Sequence, residues 1–428
     1  MRPRCAVRVW GGDSAVTDPP LLQHTDRGGL PGAGALRGTR ALLAVAGLFA
    51  INGTLIGGFG ATLPAMRQRL GVDAGGLAVL LVSLSVAAVL SMQIGGRLAD
   101  SRGARNVALP ASALLIIGVA ALAFAPVLPL ACAAAALAGL GNGALDVSMN
   151  ALAVRVEQAR LTPVMSRLHA CFSIGTLAGA AAVVLIARLA GDGVGVVTPA
   201  LAALSGLTAL AWLTISHWVP STPPVIPVPR VAGGPRLPAG TMVLGAMAFS
   251  FGLAEGTAMD WSSVHVTDVA GVRPSTGALG LVAVSVFMVV IRLLGDRAVA
   301  AFGRANVVRF GGLVAAAGYL VTILGQPLPV LLAGWALVGL GVGMIAPQVY
   351  AAAGHSGGGR MLAVVVTFGY GAFLVGPAIM GALIGQVGIS QAMVLPMALS
   401  VVLAALSWVL SRSEPAGAEP AGAGAGRR

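Results

Sequence analysis

The fold class predicted by this sequence is an all-α polytopic membrane protein, with twelve transmembrane helices arranged as two parallel six-helix halves. Three observations carry that prediction. Hydrophobic residues make up 57% of the 428 and charged residues only 9%, against roughly 25% charged in a soluble domain; the mean hydropathy is +0.92. Apolar runs long enough to cross a bilayer recur from about residue 41 to residue 411, with one Pro-rich break. The runs on the two sides of that break resemble each other.

In chain order, residues 1–40 hold Arg and Pro without the apolar core of a signal peptide, and are expected to be a disordered cytoplasmic tail. Six spans follow near 41–66, 73–96, 106–125, 128–154, 164–188 and 197–217, making an N-terminal half over 41–217. Residues 218–239 contain Pro-Ser-Thr-Pro-Pro-Val-Ile-Pro-Val-Pro-Arg, too Pro-rich for helix and too polar to span, and read as a cytoplasmic linker. Six more spans near 240–267, 276–295, 306–325, 329–353, 361–386 and 391–411 make a C-terminal half over 240–411. A Glu-Pro-Ala-Gly-rich stretch over 412–428 reads as a second disordered cytoplasmic tail.

Orientation follows from arginine, since the chain has no lysine. With both tails and the linker in the cytoplasm, only Arg67, Arg69, Arg188 and Arg273 of the 26 basic residues fall on the other face. The net charge of +12 is therefore read as topology and not as a nucleic-acid footprint. The expected location is the inner (cytoplasmic) membrane, with lipid around the chain. Cys5, Cys132 and Cys171 form no Cys-x-x-Cys or Cys/His cluster, so no metal site and no disulfide framework is expected.

The duplication shows at an offset near 200 residues. Gly139, Gly141 and Gly143 in the fourth span align with Gly339, Gly341 and Gly343 in the tenth, and Phe172-x-x-Gly175 in the fifth matches Phe368-x-x-Gly371 in the eleventh. Parallel six-helix halves suit a rocking transporter with its site between them near the bilayer midplane.

Acids inside apolar spans are the candidates for chemistry. The run from Gly240 to Thr267 is about 42 Å long as a helix, and Glu255 stands near its middle. A bare carboxylate there costs at least about 2.5–3.5 kcal/mol on insertion scales, so it must be hydrated, paired or protonated. Burial favours the neutral carboxyl, so such a Glu can hold a proton and release it when its surroundings hydrate; Glu255 is the first proton-coupling candidate, and a permanently paired acid holding helices together is the alternative. Asp260, five positions on and about 140° around the helix, faces elsewhere. It is read as a structural or gating acid first and a coupling acid second.

In the fourth span Asn142, Asp146 and Asn150 share one stripe, too polar to face lipid. Asp146 is the second coupling candidate. Arg167 and His169, at the start of the fifth span, lie within plausible reach of it as a relay or a neutralising pair. Asn52, Trp261, Gln348, Tyr350 and Tyr370 complete a candidate substrate cavity with Asn142, Asn150 and His169. Amides and phenols suit hydroxylated or zwitterionic solutes, and an aromatic can stack on a sugar ring.

The loop between the second and third spans reads Gly95-Gly96-Arg97-Leu98-Ala99-Asp100-Ser101-Arg102-Gly103-Ala104-Arg105. It resembles the loop signature of the major facilitator superfamily, with Gly96, Asp100, Gly103 and Arg105 in register and the basic residue after Asp100 displaced to Arg102. A degenerate copy follows the eighth span, as Gly295-Asp296-Arg297 and Gly303-Arg304. Asp146 to Asn150, Ser166 to Gly175, and Ala254-Glu255-Gly256 with Asp260-Trp261 resemble the YbjJ-type bacterial subgroup, related to fucose-permease-like symporters.

The resemblance implies the major facilitator fold and a conformational latch at Gly96, Asp100, Arg102, Gly103, Arg105, Asp296, Arg297 and Arg304. On the residues, Gly96 is expected to let two helices approach, Gly103 to allow the turn, and Asp100 to accept from a helix N-terminus or an Arg across the half-to-half interface. The implied function is alternating-access, proton-coupled symport of a small polar solute, sugar-like first, by a monomer that needs no cofactor beyond the proton gradient. Proton-driven efflux of amphipathic compounds is the alternative, although the fifth span lacks the Gly-Pro of drug exporters. A transport-dead sensor or scaffold is a further one. No catalytic constellation is present, and an enzyme is not expected.

Overall fold

The computed structural model describes residues 36–162, 164–190, 194–224 and 240–411. Residues 1–35, 225–239 and 412–428, which hold most of the expected tails and linker, lie outside the described residues. Among the described residues twelve helices are long and apolar enough to cross a membrane, and no strand occurs. The first half contains α1 Thr39–Leu70, α2 Ala74–Arg102, α3 Arg105–Phe124, α4 Leu128–Arg160, α5 Met165–Ala190 and α6 Val197–Ile215. In the second, α7 is Gly240–Ala270, α8 Leu279–Phe302 and α9 Arg304–Leu324. The spans α10 Leu328–Ser356, α11 Arg360–Val387 and α12 Ile389–Leu410 complete it.

Local chemistry sets the boundaries. Asp73 opens α2 by accepting the Gly76 N–H at 2.8 Å, which satisfies a donor that the first turn leaves free. Gly71 closes α1 with φ of 63°. Proline stands in the first turn of both α4 and α10, where its missing N–H costs nothing. Helical backbone runs without interruption from Ile345 to Val387, yet a Cβ at Gly369 would meet the Tyr350 hydroxyl. A straight helix would part those positions by about 28 Å, so the chain doubles back between α10 and α11.

The sequence repeat is a packing repeat. A Cβ at Gly139 would run into the carbonyl of Leu84 on α2, and one at Gly339 into the carbonyl of Val284 on α8. Gly141 lies against Leu115 of α3, and Gly341 against Ala315 of α9. The same helix triplet, α2–α4–α3 and α8–α10–α9, is thus held by the same glycines in each half. Leu207, Leu210 and Leu213 on α6 and Leu293 on α8 stay exposed, as an apolar surface suited to lipid.

The halves meet along α1–α7, α2–α11 and α5–α8. On the face away from the linker Arg67 of α1 makes a bidentate pair with Asp268 of α7, one arm at 2.8 Å. One turn deeper Ser263 donates to the Gly60 carbonyl at 2.8 Å, and Gly381 of α11 lies against Ala78 of α2. Further bonds across the interface sit at mid-depth, as described next. Towards the linker face Arg167 and His169 of α5 are exposed.

Candidate polar site between the halves

Glu255 sits at the midpoint of α7, whose neighbouring turns are almost wholly buried from Met247 to Thr267. Its carboxylate takes Arg292 of α8 at 3.2 Å, with the side chains 12% and 16% exposed respectively. Arg292 is the hub of the site. Its Nε–H donates to the Gly343 carbonyl at 3.1 Å, beside the interruption of α10 at Gly343 and Met344. The same guanidinium crosses to the first half and donates to Ser173 Oγ of α5 at 2.5 Å. Ser173 passes the chain on to the His169 carbonyl at 3.2 Å. Behind Glu255, the Tyr319 hydroxyl donates to the Ala254 carbonyl at 2.6 Å and pins the backbone that carries the acid.

Asp146 of α4 is held differently. The Tyr370 hydroxyl of α11 donates to its Oδ2 at 2.9 Å, a second mid-depth bond between the halves. Asn150 donates to the Asp146 carbonyl at 2.8 Å and to Oδ1 at 3.3 Å. The carboxylate makes no ion pair among the described residues. Asn52 of α1 is 2% exposed, with its amide nitrogen 3.9 Å from Met149 Sδ and its Oδ1 unpartnered. Asn142 is half-buried on the same α4 stripe. Two acids, one cation, two phenols and a row of amides thus converge near the middle of the interface.

Several expectations need correction. Asp146 does not meet Arg167 or His169: its bonds go to Tyr370 and Asn150, while Arg167 is exposed and His169 packs edge-on against Phe49 at 5.2 Å. Trp261 does not line this site. It is 1% exposed and borders a separate cavity between α7 and α11 together with Asp260. Gln348 lies near the linker face, where its Oε1 accepts from Arg304 Nε at 3.2 Å. Tyr350 keeps its expected place: it reaches α11 at Gly369, beside Tyr370, within electrostatic range of Glu255 and Asp146.

Within the last turns of α2 the close approach belongs to Gly95, whose Cβ would sit 3.0 Å from Ala144, whereas one at Gly96 would meet Val147 at an ordinary 3.5 Å. Gly103 turns with φ of 88° and abuts the Thr222 carbonyl; the Thr222 hydroxyl in turn accepts the Ala104 N–H at 2.9 Å. Arg105 reaches Ser221 at 3.4 Å, so the start of the linker docks on this loop. Asp100 and Arg102 are exposed, and Asp100 makes none of the expected bonds across the interface among the described residues. Arg297 is exposed; the side chain of Asp296 lies outside what is described.

Arg292 was not among the expected site residues. Ending the eighth span at residue 295 puts it at a membrane edge, where an arginine obeying the positive-inside rule needs no partner. The span does end at Gly295 while the helix runs on to Phe302, and Arg292 turns inward to Glu255. Nothing in sequence singles out Ser173 or Tyr319.

The model of the Major Facilitator Superfamily matches residues 45–355. Among curated proteins, the chain is 34% identical over 345 residues to the uncharacterized transporter y4wD of Sinorhizobium fredii, covering 79% of this chain and 90% of that one. It is 28% identical over 383 residues to the membrane protein MosC of Rhizobium meliloti, covering 89% and 92%. Among solved structures, the D-xylose-proton symporter superposes with a TM-score of 0.68 at 17% identity, over 86% of this chain and 97% of that one; that likeness speaks to the fold.

Proposed function

The chain belongs to the Major Facilitator Superfamily and is a membrane transporter of that type, and from that premise we propose that it carries a small polar solute, sugar-like first, by proton-coupled alternating access with both termini in the cytoplasm. The observation that carries the proposal is the hub at Arg292, which holds Glu255 at 3.2 Å within its own half and Ser173 at 2.5 Å in the other. One charge change on Glu255 therefore alters both a buried ion pair and a bond that spans the interface.

The steps follow from that geometry. With Glu255 ionised, Arg292 is neutralised and the mid-depth contact to α5 is in place. A proton on Glu255 removes the counter-charge, leaving the guanidinium buried without compensation, and Arg292 must turn to other acceptors, such as a solute hydroxyl or carboxylate. Asp146 and Tyr370 form the companion bond between the halves, and a solute that competes for either group loosens it. The Arg67–Asp268 pair and the Ser263–Gly60 bond close the face away from the linker, so this arrangement corresponds to the state sealed on that side. The amide and phenol lining supports a hydroxylated solute over an amphipathic one, since Trp261, the large aromatic that efflux of apolar compounds would call on, packs away from the site.

The test starts from a thermal-shift screen of monosaccharides, polyols and amino acids on the purified protein. Proteoliposome uptake of whichever compound stabilises it is then measured with and without a pH gradient. Accumulation driven by the gradient is expected. Uptake that ignores the gradient would sink proton coupling, and stabilisation with no flux would favour a sensor.

A further inference from the structure

We infer that the phosphate of one anionic phospholipid is held between Arg188 of the first half and Arg273 of the second, and that this lipid ties the halves together on the face away from the linker. The inference goes beyond the transport reading, since it needs neither a particular solute nor proton coupling.

Translocated segments disfavour arginine, and only Arg67, Arg69, Arg188 and Arg273 fall on the face away from the linker. Two of the four are spent on the protein itself. Arg67 is paired with Asp268, and Arg69 donates to the Ala123 carbonyl at 2.7 Å and to Thr198 Oγ1 at 3.2 Å. The other two come from different halves. Arg188 stands in the last turn of α5 and Arg273 just before Pro274, between α7 and α8, yet both line one cavity of about 380 Å³. Both are exposed, and Arg188 makes no hydrogen bond or ion pair among the described residues. One acid, Asp192, stands near Arg188 in the sequence, so the two guanidiniums outnumber it.

The lining selects the ligand. A guanidinium offers paired N–H donors that match a phosphate, and Thr276 adds a hydroxyl to the wall. The volume falls within the roughly 300–1,000 Å³ of small-molecule sites. Position decides between a soluble anion and a lipid. Val184 and Leu279 make an apolar part of the wall, and Leu185 and Leu189, on either side of Arg188 in α5, are 57% and 80% exposed, an apolar surface suited to acyl chains. An arginine at a helix end lays its stem along such a surface and keeps its charge at headgroup depth. A phospholipid satisfies both the charge and the apolar surface, whereas a free anion satisfies only the first. Bound there, the phosphate offsets the repulsion between like charges from the two halves and favours the state sealed on this face.

The test is native mass spectrometry of the purified full-length protein, released from phosphatidylcholine nanodiscs that contain some phosphatidylglycerol. The natural protein is expected to retain one phosphatidylglycerol in preference to phosphatidylcholine. Arg188→Gln and Arg273→Gln should each weaken that retention about tenfold, the share of one charge-assisted contact, and the double variant should abolish it. Arg97→Gln, exposed on the linker face, should leave it unchanged. Equal retention by the natural protein and the double variant overturns the site, and an equal loss in Arg97→Gln overturns it too, because bulk charge would then suffice. Displacement of the lipid by inorganic phosphate overturns the lipid in favour of a soluble anion. Should a Gln variant misfold, Arg188→Lys keeps the charge but loses the fork; it should weaken retention, and undiminished retention there overturns the guanidinium contact. Spin labels on the ends of α5 and α8 away from the linker read the second half of the inference. Phosphatidylglycerol should raise the population at the shorter separation in the natural protein and not in the double variant, and no change overturns the tie between the halves. No solute or gradient enters these measurements, so their failure and the failure of proton-coupled uptake are separate results.

Discussion

Two arginine–carboxylate pairs among the described residues lie at different depths, and they do different work. Arg67–Asp268 joins the two halves at the face away from the linker, is bidentate, and has side chains 19% and 28% exposed. Glu255–Arg292 lies at mid-depth within one half, makes a single contact at 3.2 Å, and has side chains 12% and 16% exposed. The first is the geometry of a clasp: it closes a face, and partial hydration softens its removal. In the second, charge compensation is set against strong desolvation, so a change in charge on one partner is felt by the other and, through Ser173, by the opposite half.

The sharpest way to break this contrast is Arg292→Ala. It strands a carboxylate in the protein interior and is expected to destabilise the protein by about 3–5 kcal/mol, read as a fall in the melting temperature of the purified protein. The double variant with Glu255→Gln should recover most of that loss. If the single and double variants melt alike, the pair does not hold the site as described.

Tyr370→Phe comes next. It deletes the 2.9 Å bond to Asp146 and leaves a buried acceptor, a cost of about 1–3 kcal/mol. It should widen the distance between spin labels on the linker-side ends of α4 and α11 without lowering gradient-driven uptake to background. The smallest effect is expected at the clasp. Asp268→Asn should cost no more than about 1 kcal/mol yet raise the accessibility of a cysteine placed at Ser263 to membrane-impermeant reagents added on that face, and high salt should mimic it in part. A clasp variant as destabilising as Arg292→Ala would erase the distinction.

Much of this was legible in the sequence for definite reasons. Apolar runs and prolines place all twelve spans because a bilayer tolerates few alternatives. Gly139 and Gly339 expose the duplication because each meets a carbonyl that no side chain could approach. The separation of Glu255 from Asp260 follows from helical angle alone, and the two acids do face different surroundings. What could not be read were partners. Asp146 meets Tyr370, 224 positions away, and no local spacing tells that residue from His169 across a short loop. Arg292 was hidden by its position three residues before the end of the eighth span at Gly295, where an arginine ordinarily turns to the cytoplasm, and spacing does not show that this one turns inward to Glu255. Gly96 and Gly95 differ only in which face of α2 they occupy, a register that the Gly-Gly pair leaves open.

The central claim is that the charge on Glu255 couples proton movement to the interface between the halves. Its most direct test compares Glu255→Gln with the natural protein in proteoliposomes, using the compound identified by thermal shift and measuring both accumulation under a pH gradient and gradient-free exchange. The account predicts that accumulation falls to background while exchange persists. Accumulation at the natural level in Glu255→Gln would contradict it.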